Sequence, residues 1–254
     1  MRFPILAALC VVLSGCVTNG ETVAFRSTNP NQQTMMRDGQ PALVSRQKNS
    51  IVLVRPASRQ MQAGGRPVFV VGINNMSKAP MDFRVADVEA NQIVGEQQYP
   101  MQVVTYETLV SEEHNRQVAA AIFTGLAVAG NAMSASQAGR GSYSATTIGP
   151  HGGMYQTTGN FYSPTANAIA VGNANAQNEV LVASTIERGQ QNMAQLEKTV
   201  IKDNTLMPGE WYGGALYLSP PGTPPGSAAK FYSIVITVGS DRHVIEVSQV
   251  PTGT

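Results

Sequence analysis

The sequence predicts a mainly β protein, an immunoglobulin-like antiparallel β-sandwich that is interrupted by an α-helical hairpin. Three observations support this fold class. Short segments that alternate apolar and polar residues occur before residue 106 and again after residue 198. Between them, the apolar residues recur with the period of a helix. The strands on either side are too few for a stable sandwich, but together they number about eight, which is enough.

The first half of the sandwich is predicted at residues 48–105. Its best strand, from Met81 to Glu89, alternates apolar with polar residues as a half-buried strand does. The other candidates are bounded by Gly, Pro or Asn residues and are Ile51 to Val54, Val68 to Ile73, Gln92 to Val94 and Met101 to Thr105. Residues 16–47 are polar and show little periodicity, so they are predicted to be a tether with a short strand near Ala42 to Val44. A flexible tether of this length spans roughly 30 Å.

The insertion is predicted at 106–198. In its first helix, 106–137, the apolar residues at helical spacing are Leu109, Val118, Ile122, Leu126, Ala129 and Met133. Glu112 and Glu113 lie early in this helix, where negative charge is favourable. A second helix is predicted at 175–198, with Val182, Ile186, Met193 and Leu196 along one stripe. Residues 141–175 between them are rich in Gly, Ser, Thr and Asn and are predicted to be a long loop, because they cannot bury a core of their own.

The second half of the sandwich is predicted at 199–254. The strand candidates are Thr199 to Ile201, Trp211 to Leu218, Phe231 to Val238 and His243 to Val247. The last two flank Gly239-Ser240-Asp241, a strong hairpin signal. The Pro- and Gly-rich stretch at 220–226 is predicted to be a loop.

The first fifteen residues have the features of a secretory signal. Arg2 precedes an apolar stretch too short to span a bilayer, and small residues lead into Cys16. Leu13-Ser14-Gly15-Cys16 resembles the lipobox of bacterial lipoproteins. That resemblance implies removal of residues 1–15, transfer of a diacylglycerol to the thiol of Cys16 and acylation (palmitate in this class) of the new amino terminus. In such lipoproteins an Asp after the cysteine favours retention at the inner membrane. Because Val17 follows Cys16 here, the resemblance also implies an outer-membrane location.

A second resemblance lies at the start of the predicted sandwich. The segments 45–57, 67–70 and 74–77 are similar to the start of plasmid surface-exclusion lipoproteins, which also carry a Gly- and Ala-rich hydrophobic hairpin. The general layout is similar to that of uncharacterised envelope lipoproteins. Neither similarity implies an activity for this chain.

Composition excludes several classes of partner. Without residues 1–15 the chain has 16 basic and 16 acidic residues and no Lys/Arg cluster, which argues against nucleic-acid binding and against a polybasic lipid-binding patch. Cys16 is then the only cysteine, so we expect no internal disulfide.

No pattern of residues predicts catalysis, a metal site or a cofactor. The three histidines, His114, His151 and His243, are far apart and lack metal-ligand spacing. His114 is expected on a solvated helix face, His151 in a turn and His243 as an exposed strand residue. Neither a nucleophile motif nor a phosphate-binding loop is present. We therefore expect a protein that is not an enzyme and has no small-molecule substrate.

The first predicted helix carries small residues four apart, Ala121, Gly125 and Ala129, a spacing that permits close approach of two helices. Either the two helices of the insertion pack through this stripe, or several copies assemble through it or insert into lipid. From Val118 to Gly130 the helix is about 20 Å long, shorter than the roughly 30 Å of bilayer hydrocarbon. Extension of the span adds polar residues such as Asn131, so a lone helix that faces lipid is not expected. A ring of such helices could turn these polar residues toward a lumen instead.

These features predict a non-catalytic outer-membrane lipoprotein of the cell envelope, on the periplasmic or the surface side, that binds protein partners or its own copies. One alternative is an oligomeric pore or channel built from the Ala/Gly-rich insertion. The other is an envelope enzyme whose residues converge only in three dimensions.

Overall fold

A computed structural model describes residues 20–37, 39–62, 64–94, 96–148, 154–220 and 229–251. The chain divides into two compact units. Unit 1 contains the described residues up to Tyr106 and those from Thr199 onwards, and unit 2 is Glu107–Lys198. The protein is mainly β with a helical insertion, as the sequence predicted. Unit 2 and the predicted insertion, 106–198, share their bounds to within one residue.

The described residues form sixteen strands and two α-helices. The ten strands before the helices are β1 (Gly20–Arg26), β2 (Gln32–Arg37), β3 (Gln40–Arg46), β4 (Ser50–Pro56), β5 (Met61–Gln62), β6 (Val68–Asn75), β7 (Met81–Phe83), β8 (Glu89–Val94), β9 (Gln97–Met101) and β10 (Val103–Val104). Next come α1 (Tyr106–Gln137), β11 (Arg140–Ile148), β12 (Met154–Tyr162) and α2 (Pro164–Thr199). The chain ends with β13 (Asn204–Leu206), β14 (Trp211–Leu218), β15 (Lys230–Val238) and β16 (Asp241–Pro251).

Unit 1 consists of two antiparallel sheets. The eight-stranded sheet has the order β13-β7-β15-β16-β1-β5, with β8 paired to β15 and β9 to β8. The six-stranded sheet has the order β10-β14-β6-β4-β3-β2. Their inner faces share one apolar core, in which the ring of Phe25 from β1 packs edge-on against Phe69 from β6, 6.4 Å away. Alternate residues of β4 and β16 point into this core, as period-2 patterning requires.

The predicted tether is wrong from residue 20 onwards, because this segment forms β1, β2 and β3, although the short strand predicted near Ala42 to Val44 lies within β3. β1 pairs with β16, so that Glu21–Arg26 lie opposite Glu246–Pro251. β2 and β3 form a hairpin, with Gly39 at φ +70° near its turn. The local pattern gave little sign of these strands, because β1 is stabilised by a partner more than two hundred residues away.

The immunoglobulin-like arrangement is not confirmed. Unit 1 has fourteen strands among its described residues, whereas immunoglobulin domains have about seven to nine. The additional strands are the three in the predicted tether and several of two or three residues, such as β5 and β10, which are too short to show periodicity.

In unit 2, α1 has the bounds predicted from its periodicity, but the predicted loop at 141–175 is wrong. Nine residue pairs, from Arg140 opposite Tyr162 to Ile148 opposite Met154, join β11 and β12 in a hairpin. Within it Gly141 lies under the ring of Phe161, and Gly159 lies under the ring of Tyr143. Such glycine–aromatic pairs across a hairpin stabilise strands that bury no apolar face.

α2 begins at Pro164, eleven residues before the predicted start at 175. Ser163 precedes it, and the Ser163 hydroxyl accepts a hydrogen bond from the backbone N–H of Ala166 at 3.3 Å. A serine cap followed by proline is a favourable helix start. The first turns of α2 lack an apolar stripe, which is why the sequence pattern placed the start too late.

Candidate functional site

The contact between α1 and α2 in unit 2 is polar. Three α1 side chains, each seven residues from the next, bond to α2. Gln117 Nε2 donates to the carbonyl of Gly189 at 3.0 Å, and the hydroxyls of Thr124 and Thr185 lie 3.1 Å apart. Asn131 Nδ2 donates to Asn178 Oδ1 at 2.8 Å. Residues seven apart lie on one helix face, so this face of α1 meets α2 through amides and hydroxyls.

Further hydrogen bonds extend this polar contact at both of its ends. The Glu113 side chain is only 3% exposed, and its carboxylate accepts from Arg116, from Gln117 at 3.3 Å and from Asn192 at 2.9 Å. At the other end Asn167 Nδ2 donates to the carbonyls of Ala135 and Ala138, at 2.9 and 3.0 Å. Ala135 lies in the last turn of α1 and Ala138 follows directly after it, where backbone carbonyls lack intrahelical donors. The hairpin is therefore fixed by directional bonds along its length.

The opposite face of α1 is apolar and exposed. Leu126, for example, is 64% exposed. The other large apolar residues of unit 2 that are exposed are Val118, Ile122, Phe123, Met133, Tyr143, Ile148, Met154, Phe161, Tyr162, Ile169, Val171, Val180, Val182 and Ile186. Helices of water-soluble proteins have the reverse arrangement, with the apolar stripe inward and polar residues outward. We call Ile122, Leu126, Ala129 and Met133, which follow 4-3-4 spacing, the outer stripe.

The small-residue stripe does not join the two helices of unit 2, so that interpretation of the sequence is wrong. Ala121 and Ala129 are exposed, and a Cβ added at Gly125 meets no atom within 4 Å. The same holds for Gly172 on α2. Gly189 is the glycine that lies at the helix contact, against Gln117. Gly125 and Gly172 therefore lie on open surface of the helical pair.

Charge is scarce in the same part of the chain. Between Arg116 and Glu179 the sequence has one Asp, Glu, Lys or Arg, namely Arg140. After Arg116, α1 continues for 21 residues, about 30 Å, which matches the hydrocarbon thickness of a bilayer. Among the described residues, α1 is the one helix that is long and apolar enough to cross a membrane, and only 6% of its apolar window is buried.

The structure also places the residues that the sequence singled out for chemistry. Cys16 and His151 lie outside the described residues. His114 is exposed on α1. The described part of the chain holds no group of three or more His, Cys, Asp or Glu residues suited to a metal ion.

The expectation of an exposed His243 is wrong, because this side chain is 0% exposed. Its Nδ1 lies 3.0 Å from Ser45 Oγ and its Nε2 lies 2.9 Å from Ser50 Oγ, and Ser50 also donates to Asp241 Oδ2 at 2.8 Å. Burial lowers the pKa of His243 from 6.5 to about 4, against the opposing effects of Asp241 and the bond with Ser45. The serines are on β3 and β4, so the cluster links the two sheets.

A second buried polar cluster was not predicted. Lys230 Nζ lies 2.5 Å from Glu21 Oε1, and both side chains are at most 5% exposed. Gln249 donates to the other oxygen of Glu21 and accepts from the Tyr232 hydroxyl at 2.9 Å. Burial, together with the charge of Glu21, raises the pKa of Tyr232 well above its ordinary value. Glu21 was missed because it lies in the segment predicted to be a tether.

With the geometry of both units described, the most distinctive surface is that of unit 2, where hydrogen-bonding side chains join the two helices and many large apolar side chains are exposed. Comparison with protein-family models, with curated proteins and with solved structures finds no match to this chain.

Proposed function

We propose that this protein is a non-catalytic lipoprotein of the bacterial outer membrane, anchored through lipid on Cys16, that self-assembles in the cell envelope through unit 2. The observation that carries the proposal is the reversed polarity of unit 2. Hydrogen-bonding side chains pair within the helical hairpin, and most of its large apolar side chains are exposed. Exposed apolar surface of this extent is unfavourable in water and is typical of an interaction site.

The flank of the hairpin that carries Gly125 and Gly172 is the contact surface between copies in this proposal. On α2 this flank consists of exposed residues at 4-3-4 spacing, namely Ala168, Gly172, Asn175 and Glu179. On α1 it consists of Ala121 and Gly125. Small side chains let a second helix approach closely, so that backbone and polar groups contact one another.

Substitution of these glycines tests the assembly directly. The mass of the full-length lipidated protein in detergent is measured by size-exclusion chromatography with light scattering. We expect a defined multimer for the native chain and a monomer for Gly125→Leu and Gly172→Leu. Leucine favours a helix over glycine by roughly 0.8 kcal/mol, and the new side chains meet nothing within the chain at Cβ, so the variants remain folded.

The matched control is Ala194→Leu, which adds a leucine to an exposed position near the charged end of α2. This variant keeps the mass of the native protein. A native chain that is monomeric, or glycine variants that retain the multimer, would contradict self-assembly through this flank and leave an anchored protein that binds other partners.

A pore is the second candidate function, and Glu179 favours it. This residue is the one carboxylate between Glu113 and Glu187, and it is exposed in the otherwise uncharged part of α2. Ionisable residues in apolar helical regions commonly line ion pathways. In planar bilayers, a cation-selective conductance that loses its selectivity in Glu179→Gln supports this function. The absence of any conductance from the assembled protein argues against it.

A further inference from the structure

We propose that unit 2 crosses the lipid bilayer, with the outer stripe of α1 against the acyl chains and the β11–β12 hairpin on the far side. This inference deepens the proposed self-assembly by naming the medium that covers the apolar face. Copies of the chain contact one another through the glycine flank, whereas lipid covers the outer stripe.

The distribution of charge along unit 2 supports lipid as the occupant. Most charged residues of the helical pair lie toward one end, where α1 begins and α2 ends. They include Glu112, Glu113, Arg116, Glu187 and Arg188. Beyond them, α1 has no further charge up to Gln137. The uncharged length of about 30 Å equals that of the hydrocarbon core, which a protein contact alone would not require.

Among the polar residues that a span beyond Gly130 adds, Asn131 and Ser136 are hydrogen-bonded within unit 2, whereas Ser134 and Gln137 are exposed. Asn131 is bonded to Asn178 inside the hairpin, and the Ser136 hydroxyl donates to the carbonyl of Met133 in its own helix. From the sequence alone, extension of the span beyond Gly130 was expected to expose polar side chains to lipid. Because Asn131 and Ser136 are bonded within unit 2 and Gln137 is the last residue of α1, the span from Gln117 to Gln137 leaves the small Ser134 side chain as the polar group to be accommodated between Gly130 and Gln137.

The far end of the helical pair has the composition of a membrane interface. Arg140 follows α1 directly, and the adjoining strands carry the exposed rings of Tyr143, Phe161 and Tyr162. Aromatic and basic residues collect at the level of the lipid headgroups, where their apolar parts contact lipid and their polar ends contact water. The rest of the β hairpin, rich in Ser and Thr, then extends into water beyond this level.

The position of Glu179 links membrane crossing to self-assembly, because its carboxylate lies within the proposed span. Glu179 lies nine residues from Arg188 along α2, about 14 Å into the span. A carboxylate at that depth is stable only against other protein or water. Since Glu179 shares the flank of Gly172 and not the outer stripe, contact between copies shields it while the outer stripe faces lipid.

Single cysteines in the full-length lipidated protein test this topology. The thiol of Cys16 is occupied by lipid in the proposed form, so an introduced cysteine is the free thiol. The protein is added to preformed vesicles of phosphatidylethanolamine and phosphatidylglycerol and treated with a bulky, membrane-impermeant polyethylene-glycol maleimide. The positions are Leu126→Cys in the outer stripe, Thr157→Cys in β12 and Ala194→Cys near the charged end of α2.

We expect Ala194→Cys to react in intact vesicles and Thr157→Cys to react only after detergent opens them. Leu126→Cys stays protected, and an environment-sensitive dye at this position emits as in hydrocarbon. Equal reaction of Thr157→Cys and Ala194→Cys in intact vesicles would overturn the crossing. Light scattering on the same variants in detergent separates self-assembly from membrane crossing. If the protein is a multimer but Thr157→Cys reacts in intact vesicles, self-assembly is retained and membrane crossing is excluded.

Discussion

Nε2 of His243 lies 2.9 Å from Oγ of Ser50, whose own hydrogen is donated to Asp241. Ser50 thus accepts from the imidazole, which is neutral with its proton on Nε2, while Nδ1 accepts from Ser45. A second proton on the ring has to displace the Ser45 hydrogen in a site without water access. This hydrogen-bonded chain of four side chains between the two sheets is therefore intact only while His243 is uncharged.

This arrangement predicts a stability that falls on acidification. The pKa of His243 is lowered to about 4 in the folded protein, so between pH 6.5 and 4 the unfolded chain binds more protons than the folded one. Unit 1 is then fully stabilised at neutral pH and loses about 3 kcal/mol as the pH falls through this range. Denaturant unfolding of the full-length protein across that range measures the slope.

The controls for the pH effect are two glutamine variants. His114→Gln, at an exposed position, keeps the pH dependence of the native chain. His243→Gln lowers stability at neutral pH and flattens the dependence. If His243→Gln retains the full slope, another group is responsible.

Because Lys230 and Glu21 are buried as an ion pair, we expect the loss of either charge alone to destabilise the protein strongly. Lys230→Met leaves the Glu21 carboxylate buried without its counter-charge, which costs about 3–5 kcal/mol of unfolding free energy. The double variant Lys230→Met/Glu21→Met removes both charges and recovers much of that loss. A double-mutant cycle by denaturant unfolding measures the coupling, and additive effects of the two substitutions would contradict it.

The bond between Asn131 and Asn178 predicts coupling between α1 and α2. Asn131→Leu leaves an amide of α2 without its partner, and we expect a loss of about 1 kcal/mol in the stability of the hairpin. Asn131→Leu combined with Asn178→Leu restores part of it. Thermal melting in detergent, followed by far-ultraviolet circular dichroism, reports this difference. Equal melting of the single and double variants would show that the bond is dispensable.

Gly139 and Gly130 form a matched pair for the junction between α1 and β11. Gly139 has φ +83°, and a Cβ there lies 2.5 Å from the carbonyl oxygen of Ser163. Gly139→Ala therefore distorts the junction and destabilises unit 2 by more than about 1 kcal/mol. Gly130→Ala, which meets nothing within 4 Å, stabilises the helix by about 0.5–1 kcal/mol. The same melting experiment distinguishes them, and equal shifts for both variants would contradict the role of Gly139.

Local periodicity predicted most elements that have one apolar face. The bounds of α1 are an example, because its outer stripe repeats at helical spacing whether lipid or protein covers it. The single strand predicted from Met81 to Glu89 is wrong, however, because a 3-10 helix at Val85–Asp87 separates β7 from β8. The hairpin β11–β12 escaped prediction because its strands bury neither face and are held by glycine–aromatic pairs. Strand β1 escaped because its stability depends on β16 at the other end of the chain.

The candidate site was predicted only in part. The sequence identified the small residues and the apolar stripe of α1, but it did not show which face meets α2. The seven-residue spacing of Gln117, Thr124 and Asn131 was the available signal, since polar residues at that spacing share a face. For His243, its period-2 relation to Ile245 and Val247 indicated an inward side chain, but the neighbouring turn favoured an exposed one.

If Cys16 is lipidated as proposed, the start of β1 at Gly20 limits the distance between that anchor and the fold. Only three residues lie between Cys16 and Gly20, and even a fully extended chain joins the two over at most about 14 Å. With lipid on Cys16, the first strand of unit 1 is held within the headgroup layer or directly above it. In that proposed form, a partner that binds unit 1 contacts it close to the membrane surface.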